Sequence, residues 1–445
     1  MISRTFTFVL VALFTTAISP RVLAADEPTG SQSTSQHPAT PPHSGDPLNS
    51  SDKGASDDQK DKAKEPADGK TEVNVVPIVG GSTDIGVGGG AFGGIARVKK
   101  GYAPYLWNVE GAATITFLPK NGKVESPYQD AYVRLTIPRF LGLPLRLEVR
   151  PSYTWEQTLG YYGVGNASTQ SKSAANDYYQ YGRTHPAFDT LARLKVVDHV
   201  AVQVGIRYTQ NWIQINPNTK LSTDLLAKDP ETQSLLDGPK SSHGVALFQY
   251  GLQLDTRDNE TSSHSGTFDE VTLKVSPGGT EALPYRYGQA NFTGRLFVPI
   301  VKPRLTLATR FVVDALFGDA PFYELSRFAD TYAIGGSSGV RGVPAQRYSG
   351  KLKAFGNIEL RAEIVKFRAL KKAMIFGAVA FFDAGRVWAD LKPEPQLDGS
   401  GIGLKYGTGG GLRLQSGDAF VLRLDIAWSP DATPIGAYFA AGQIF

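Results

Sequence analysis

The chain has 445 residues and contains no cysteine. Without thiols it cannot form a disulfide framework, a thiolate metal site, an iron–sulfur cluster or a lipidated N-terminal cysteine. Its 46 Lys and Arg residues nearly balance its 42 Asp and Glu residues, and the formal net charge of +4 argues against a nucleic-acid partner. The mean hydropathy of −0.20 is too low for a bundle of membrane-spanning helices. Composition therefore excludes thiol chemistry and a helical membrane bundle.

Residues 1–24 have the pattern of a secretory signal peptide. Arg4 supplies the positive charge, Phe6 to Ile18 form an apolar stretch, and Val22-Leu23-Ala24 form a small-residue cleavage site. The alternative is a membrane-anchoring helix, but the apolar stretch is short and Pro20 follows it closely. We expect this segment to be cleaved during export.

Residues 25–72 change composition abruptly. Ser, Thr, Pro, Asp and Lys dominate, Leu48 is the only large aliphatic residue, and no aromatic residue occurs. Such a segment cannot bury enough apolar surface to offset the entropy lost on ordering, so we predict a disordered periplasmic linker rather than a folded domain. A binding role for this linker is the less favoured alternative.

Residues 73–445 alternate between apolar and polar positions with the period of β-strands. Between Phe420 and Trp428, for example, the even-numbered residues are large and apolar, whereas Arg423 and Asp425 belong to the opposite face. A water-soluble sandwich would also alternate, so other features must identify the fold. The pattern predicts sixteen strands, near 73–80, 85–98, 106–117, 129–137, 145–156, 187–197, 200–212, 244–255, 266–276, 285–299, 304–317, 353–365, 374–388, 403–415, 420–428 and 438–445.

Loop lengths and tryptophan positions favour a transmembrane β-barrel over a sandwich. Connections after even-numbered strands are mostly short, as at Asp198-His199, whereas several after odd-numbered strands are long, as at residues 157–186 and 318–352. Short turns on one rim and long loops on the other, with an even strand number, are typical of bacterial outer-membrane barrels. All five Trp residues are predicted at strand ends, as in an aromatic girdle. We therefore predict one antiparallel barrel over residues 73–445 in the Gram-negative outer membrane.

Several motifs resemble the BamA/TamA superfamily, the bacterial surface antigen barrels. The segment Gly339-Val340-Arg341-Gly342 resembles the arginine signature of this family, and Phe381 to Trp388 resembles its Phe-x-Asp-x-Gly strand. Asp255 to Asn259 with Gly266, Tyr161 to Asn166, and Gly409 to Arg413 also agree, and the blocks occur in the family's order. Val343 replaces the usual aromatic residue after the arginine signature. The resemblance implies a sixteen-stranded barrel, but residues 25–72 leave no room for the periplasmic POTRA domains of assembly and secretion members.

The resemblance also implies a mechanism centred on the sixth long loop. The loop would fold back into the barrel so that Arg341 meets Asp383, which precedes Gly385, with Glu359 or Glu363 as a further partner. A guanidinium removed from bulk water needs a carboxylate, and a bidentate pair would hold the loop in place. The alternative is that these charges only line a wet pore, as in a porin.

The first and last strands would meet at a lateral seam that can open towards lipid, again as the resemblance implies. The first two strands are rich in glycine, the last contains Gly442, and Phe445 is the terminal aromatic residue expected of a strand that insertion machinery engages. The alternative explanation of the glycines, close packing of loop six against a smooth wall, is equally open.

Two further motifs match the residue order of enzyme signatures but lack the structural context that these signatures need. Gly335 to Gly339 spells the nucleophile elbow of α/β-hydrolases, but no strand-turn-helix context or triad accompanies it. Gly88 to Gly93 matches a dinucleotide fingerprint without a following helix. The six histidines show no metal-ligand spacing. We therefore predict no catalytic, metal or cofactor site.

Two classes of function remain open at this point. The first is a barrel that inserts or translocates proteins or other macromolecules, working with a separate periplasmic or secreted client protein. The second is a passive channel or structural surface antigen, and an outer-membrane hydrolase is a weaker third possibility. In each case the expected surroundings are outer-membrane lipid and lipopolysaccharide.

Overall fold

The computed structural model describes residues 69–445 except 100–101, 121, 172, 176, 227–234, 237–240, 260–261, 303, 329–330, 333, 370–371, 417–419 and 432–434. The predicted signal peptide (1–24) and linker (25–72) therefore lie almost entirely outside the described residues. From Lys70 onward the described part of the chain is a sheet with its connections, and it contains no separately folded domain.

Sixteen strands form the wall of the barrel. We number them β1 (Lys70–Ser82), β2 (Gly86–Lys99), β3 (Tyr102–Lys120), β4 (Tyr128–Ile137), β5 (Leu145–Gly160), β6 (Ala187–Val197), β7 (Val200–Gln214), β8 (Ser242–Asp255), β9 (Gly266–Ser276), β10 (Tyr287–Val301), β11 (Leu305–Gly318), β12 (Leu352–Ala369), β13 (Lys372–Trp388), β14 (Lys405–Ser416), β15 (Phe420–Trp428) and β16 (Gly436–Ala441).

Shorter elements lie in the connections. Helix α1 spans Lys220–Leu226 and helix α2 spans Pro395–Asp398. Short strands occur at Lys123–Glu125, Gln180–Thr184, Arg327–Phe328 and Thr331–Tyr332, and 3₁₀ turns at Phe140–Gly142 and Phe322–Glu324. Among the described residues, no helix has the length and apolar character needed to cross a bilayer.

Each strand pairs antiparallel with its neighbours in sequence, and β1 also pairs with β16, which closes the sheet. The two end strands of the sheet thus meet, but they pair over only part of their length. The predicted sixteen-stranded antiparallel barrel is thus confirmed.

The two faces of the wall differ in polarity. On β12, Ile358 is 50% exposed and Leu360 is 42% exposed, whereas Asn357 and Glu359, which alternate with them, are fully buried. Because successive side chains of a strand point to opposite faces, the apolar residues lie outside and the charged residues inside. This is the reverse of a water-soluble protein, and it suits a wall surrounded by lipid.

The buried apolar residues form two main clusters rather than one central core. The larger lies at the end of the barrel that carries the long loops, where Tyr161, Tyr181, Phe322 and Tyr323 pack together. The second joins residues 328–348 to the inner faces of β11 to β13 and contains Ile334, Val340, Val343, Tyr348 and Phe355. The long connection between β11 and β12 is therefore packed against the wall.

Three sequence predictions need correction. The first strand begins at Lys70 rather than 73, because Lys70 to Glu72 continue the pairing with β2. The last strand ends at Ala441 rather than 445, because Gly442 has a positive φ of 86° that breaks the extended backbone. Trp107 and Trp155 lie inside β3 and β5 rather than at their ends, because both strands extend further than the apolar pattern indicated.

Candidate functional site

The connection between β11 and β12, residues 319–351, is the sixth connection on the rim that carries the long loops, and we call it loop six. Glycines shape the part of it that presents Arg341. Gly335, Gly336 and Gly342 have φ values of 119°, 80° and 91°, which other residues rarely adopt. A Cβ atom on Gly335 would also lie 1.9 Å from the Pro344 carbonyl oxygen. The turn that carries the arginine signature therefore requires glycine.

Arg341 is fully buried and binds three carboxylates. Its Nε and Nη2 donate to the two oxygens of Asp383 at 2.8 and 2.9 Å, and its backbone N–H donates to the same carboxylate at 3.1 Å. Its Nη1 lies 2.6 Å from Glu359 and 3.2 Å from Asp425. The structure thus brings Arg341 into bidentate contact with the predicted partner on β13, in the geometry that is strongest for this pair.

Other arginines complete the network around these carboxylates. Arg361 pairs with Glu359 at 2.8 Å, and Arg413 pairs with Asp425 at 2.5 Å. The Phe381 ring lies 3.4 Å from the Arg341 guanidinium and covers its face. Among the described residues, Arg341 is the only cation within ion-pair distance of Asp383. Removing either of these two partners would therefore leave a buried charge without its counter-charge.

The remaining predicted site residues have distinct places. The Gly339 carbonyl accepts a hydrogen bond from Asn357 at 2.9 Å, and Val340 is fully buried in the second apolar cluster. Gly385 must be small, since a Cβ there would lie 2.4 Å from Ile334. Glu363 does not meet Arg341. It contacts His264 at 3.1 Å instead, because it lies four residues beyond Glu359, about 13 Å further along the strand.

Sequence reasoning missed Asp425 as a partner of Arg341. The signal that could have found it was present, because Asp425 and Arg423 belong to the inward face of β15 in the alternation pattern. What the pattern could not supply was the register that brings this position near loop six. In the described part of the chain, no group of three or more acidic or histidine side chains is arranged to hold a metal ion.

The junction between β1 and β16 is the second candidate site. Within the described residues these strands pair only at Gly81 with Phe439 and at Ser82 with Tyr438. By comparison, β1 pairs with β2 along its whole length, from Lys70 to Ser82. Residues 70–80 of β1 therefore lack a strand partner on the side that faces β16.

The predicted seam residues lie beyond this pairing. After Gly442 the chain leaves the sheet and turns towards the inner faces of β11 and β12. There the Phe445 carbonyl oxygen accepts a hydrogen bond from Arg361 at 3.0 Å, and the Ile444 carbonyl accepts one from Arg310 at 3.2 Å. Neither Gly442 nor Phe445 pairs with β1 in the described structure.

The glycines of β2 have a direct steric explanation. Cβ atoms on Gly88 and Gly90 would lie 1.8 and 1.9 Å from carbonyl oxygens of Ile115 and Ala113 on β3. Larger residues cannot occupy these positions without moving the backbone. Close packing of two strands therefore accounts for these two glycines without any role in opening.

Loop six is connected to both sides of the β1–β16 junction. The Gly342 N–H donates to the Tyr438 hydroxyl of β16 at 2.9 Å, and the Ala345 N–H donates to Asp84, in the turn after β1, at 3.1 Å. Burial raises the pKa of the Asp84 carboxyl to about 6, although the hydrogen bond from Ala345 opposes the rise. The side chains of Tyr162 and Tyr438 also lie near this carboxyl.

This raised pKa predicts that the attachment of loop six depends on pH. Because the folded pKa exceeds the value near 3.9 of an unfolded Asp, the contribution of Asp84 to stability is complete below about pH 4 and is lost as the pH rises through 6. Asp84→Asn keeps the acceptor oxygen without the charge. We expect it to raise the thermal unfolding midpoint at pH 7.5, by the equivalent of about 1 kcal/mol, and to change little at pH 4.

The measurement is the temperature at which the barrel loses its folded mobility on a gel, at both pH values. Thr83→Ala, an exposed position in the same turn, serves as a control that leaves the carboxyl in place. If the difference in unfolding midpoint between Asp84→Asn and the parent protein were the same at pH 4 and pH 7.5, the prediction would be wrong.

Comparisons with known proteins agree with this geometry. A family profile described as the Omp85 superfamily domain matches residues 117–445. BamA from Haemophilus ducreyi lacking POTRA domains 1–3 has a TM-score of 0.56 and 14% identity, with 84% of this chain and 70% of that chain covered. CdiB from Escherichia coli has a TM-score of 0.50 and 14% identity, with 82% and 62% covered, so this chain spans less than two thirds of its length. No curated protein matched the chain in a sequence search.

At these low identities the solved structures show a shared fold, whereas the family profile is the evidence for relationship. The profile covers about three quarters of the chain, from β3 to the last described residue. The matched region includes the arginine signature of loop six and the strand that carries Asp383. The chain therefore belongs to the Omp85 superfamily, as its motifs predicted, and is a β-barrel of the Gram-negative outer membrane.

Proposed function

We propose that this barrel inserts polypeptide strands into the outer membrane, or translocates them across it, through the junction between β1 and β16, while loop six is held inside the barrel by Arg341. The proposed clients are outer-membrane proteins that arrive unfolded from the periplasm. Export of the barrel itself by a cleaved signal peptide over residues 1–24 belongs to the same proposal. No catalytic role is included.

The observation that carries the proposal is the incomplete pairing of β1. Along Lys70 to Gly80, the backbone N–H and C=O groups that do not point towards β2 have no partner from β16. Unpaired backbone groups in lipid are costly, and an exposed strand edge is a template for another strand. A client strand that added to this edge would satisfy those groups while its apolar face met lipid.

The side chains of β1 support the same use. Val73, Val75 and Val79 are 63%, 73% and 57% exposed, which suits a strand lying against hydrocarbon. The apolar cluster at the long-loop end, by contrast, argues against a wide passive channel, because buried tyrosines and leucines pack together there. Insertion at the side of the barrel needs no such channel.

A reversible crosslink at the junction tests the proposal. Thr83 donates a backbone hydrogen bond to Ala437 at 3.2 Å, so the two residues face each other at the end of the β1–β16 pairing. The chain has no cysteine, so Thr83→Cys with Ala437→Cys would be the only thiols present. We expect the oxidised pair to reduce insertion of a small unfolded outer-membrane barrel into liposomes by at least about tenfold, and reduction to restore it.

The matched control is a crosslink between strands that pair along their length. Thr309 on β11 lies opposite Ile358 on β12, so Thr309→Cys with Ile358→Cys would lock a junction that has no reason to open. This variant should insert the probe at the parental rate under oxidising and reducing conditions. Equal activity of the oxidised β1–β16 pair and this control would overturn the proposed route.

A further inference from the structure

The outer face of the wall carries a groove at the end with the long loops. A cavity of about 480 Å³ lies there, and its outward lining includes Phe311, Ala354, Gly356, Ala384 and Trp388. A second cavity of about 510 Å³ shares Phe311, Gly356 and Ala384 and extends towards β9 and β10. Together they form one continuous groove across several strands.

Small residues on neighbouring strands create the groove. Gly356 on β12 lies opposite Ala384 on β13, so two small outward positions lie side by side, and Phe311 on β11, opposite Gly356, borders them. A Cβ on Gly356 would meet nothing closer than 3.4 Å. Phe382 and Ile358, 46% and 50% exposed, stand beside these small positions as walls. The small residues therefore form the floor of the groove, and the larger exposed side chains form its borders.

A loop forms the upper border of the groove. Gly401 and Gly403 adopt positive φ values of 75° and 54°, and the carbonyl oxygens of Gly401 and Ile402 accept hydrogen bonds from Arg386 on β13. The loop places Ile402, 74% exposed, at the mouth of the first cavity. An apolar side chain so exposed beside an apolar groove fits contact with hydrocarbon rather than water.

Arg386 gives the groove a charge at the same end. No carboxylate of the described residues lies within ion-pair distance of it, its Nη2 donates only to the Asp398 carbonyl oxygen at 3.4 Å, and its buried Nε has no hydrogen-bond partner there. Its guanidinium lies 5.0 Å from the ring of Trp388, the last residue of β13. Because Trp residues at strand ends lie at the headgroup level of a bilayer, this cation is placed where lipid phosphates occur.

We propose that the groove binds one acyl chain of a phosphorylated outer-leaflet lipid, lipopolysaccharide in this membrane, with a phosphate at Arg386. The apolar floor complements a hydrocarbon chain, and the uncompensated guanidinium complements an anionic headgroup at its upper end. This site lies on β9 to β13, separated from the β1–β16 junction by β14 and β15, and does not depend on the proposed insertion. A lipid bound in the groove would stay in contact with this side of the wall.

Filling the floor tests the acyl-chain part. Ala384→Leu puts a large side chain into the groove, whereas Ala380→Leu makes the same change on the same strand and face at a residue that lines neither cavity. Both purified barrels would be incubated in neutral detergent with bisphosphorylated lipid A, and retained lipid counted by native mass spectrometry. We expect Ala384→Leu to retain at least about fivefold less lipid than the parent and Ala380→Leu to retain the parental amount.

Equal retention by the two leucine variants would overturn the proposal. Folding of each variant is checked by its gel mobility, and Ala354→Leu, which fills the same cavity from β12, replaces Ala384→Leu if that variant does not fold. Loss of retention in both filling variants, with Ala380→Leu unchanged, supports the site.

The headgroup part has its own test. Arg386→Gln should reduce retention of bisphosphorylated lipid A at least about fivefold, Arg386→Lys should reduce it less, and dephosphorylated lipid A should bind the parent weakly. Phosphatidylglycerol in place of lipid A distinguishes a general phospholipid contact from the proposed occupant. Equal retention of phosphorylated and dephosphorylated lipid A, or of phosphatidylglycerol and lipid A, would overturn the assignment.

Discussion

Arg341→Met is expected to release loop six from β13 and to lower the free energy of unfolding by about 3–5 kcal/mol, because Asp383 would remain buried without a cation. The two side chains are fully buried, and Arg341 makes three of its hydrogen bonds to this one carboxylate. Glu359 and Asp425 would each keep a counter-charge, since Arg361 and Arg413 continue to pair with them. The effect is measured as the thermal midpoint of folded gel mobility, together with protease cleavage within residues 319–351.

A second substitution separates charge from packing. Arg341→Met with Asp383→Asn removes both members of the pair, and replacing a buried ion pair by neutral groups is often far less costly than breaking it. We expect the double variant to recover at least about half of the lost stability while loop six remains sensitive to protease. If Arg341→Met alone left both the midpoint and the cleavage pattern as in the parent, the cluster would not be what holds the loop.

Much of the fold could be predicted because a membrane barrel imposes a simple rule on every strand. Alternation along Phe420 to Trp428 or along β12 follows directly from lipid on one side and charge on the other. Strand ends were less predictable, because strands such as β3 extend past the part of the wall that lipid surrounds. Beyond that part, apolar and polar residues need not alternate. Gly442 shows the opposite error, since one positive φ ends a strand whose residue pattern continues.

The candidate site was predictable only where chemistry restricts the partners. A buried guanidinium needs a carboxylate, and the family motif pointed to Asp383. The choice between Glu359 and Glu363 depended on strand register, and the contact with Asp425 depended on how far β15 lies from loop six around the barrel. The short β1–β16 pairing, which stops at Phe439, is not recorded in any alternation pattern.

The contact between loop six and the wall can also be tested without changing any charge. Gly407 on β14 lies directly against loop six, and a Cβ there would be 1.8 Å from the Arg341 carbonyl oxygen. Gly407→Ala therefore cannot be accommodated unless this part of the loop moves. We expect the methyl group to displace Arg341 from Asp383, to cost at least about 3 kcal/mol, and to expose residues 319–351 to protease much as Arg341→Met does.

Gly410→Ala is the matched control, three residues away on the same strand. Its Cβ would lie 3.4 Å from the Val379 carbonyl oxygen, so the methyl group needs at most a small adjustment. This variant should be as stable as the parent or slightly more stable, because alanine restricts the unfolded chain more than glycine does. Since neither variant alters a charge, cleavage of loop six in Gly407→Ala but not in Gly410→Ala would show that the loop backbone itself rests against β14. Protection of loop six in both variants would mean that it does not.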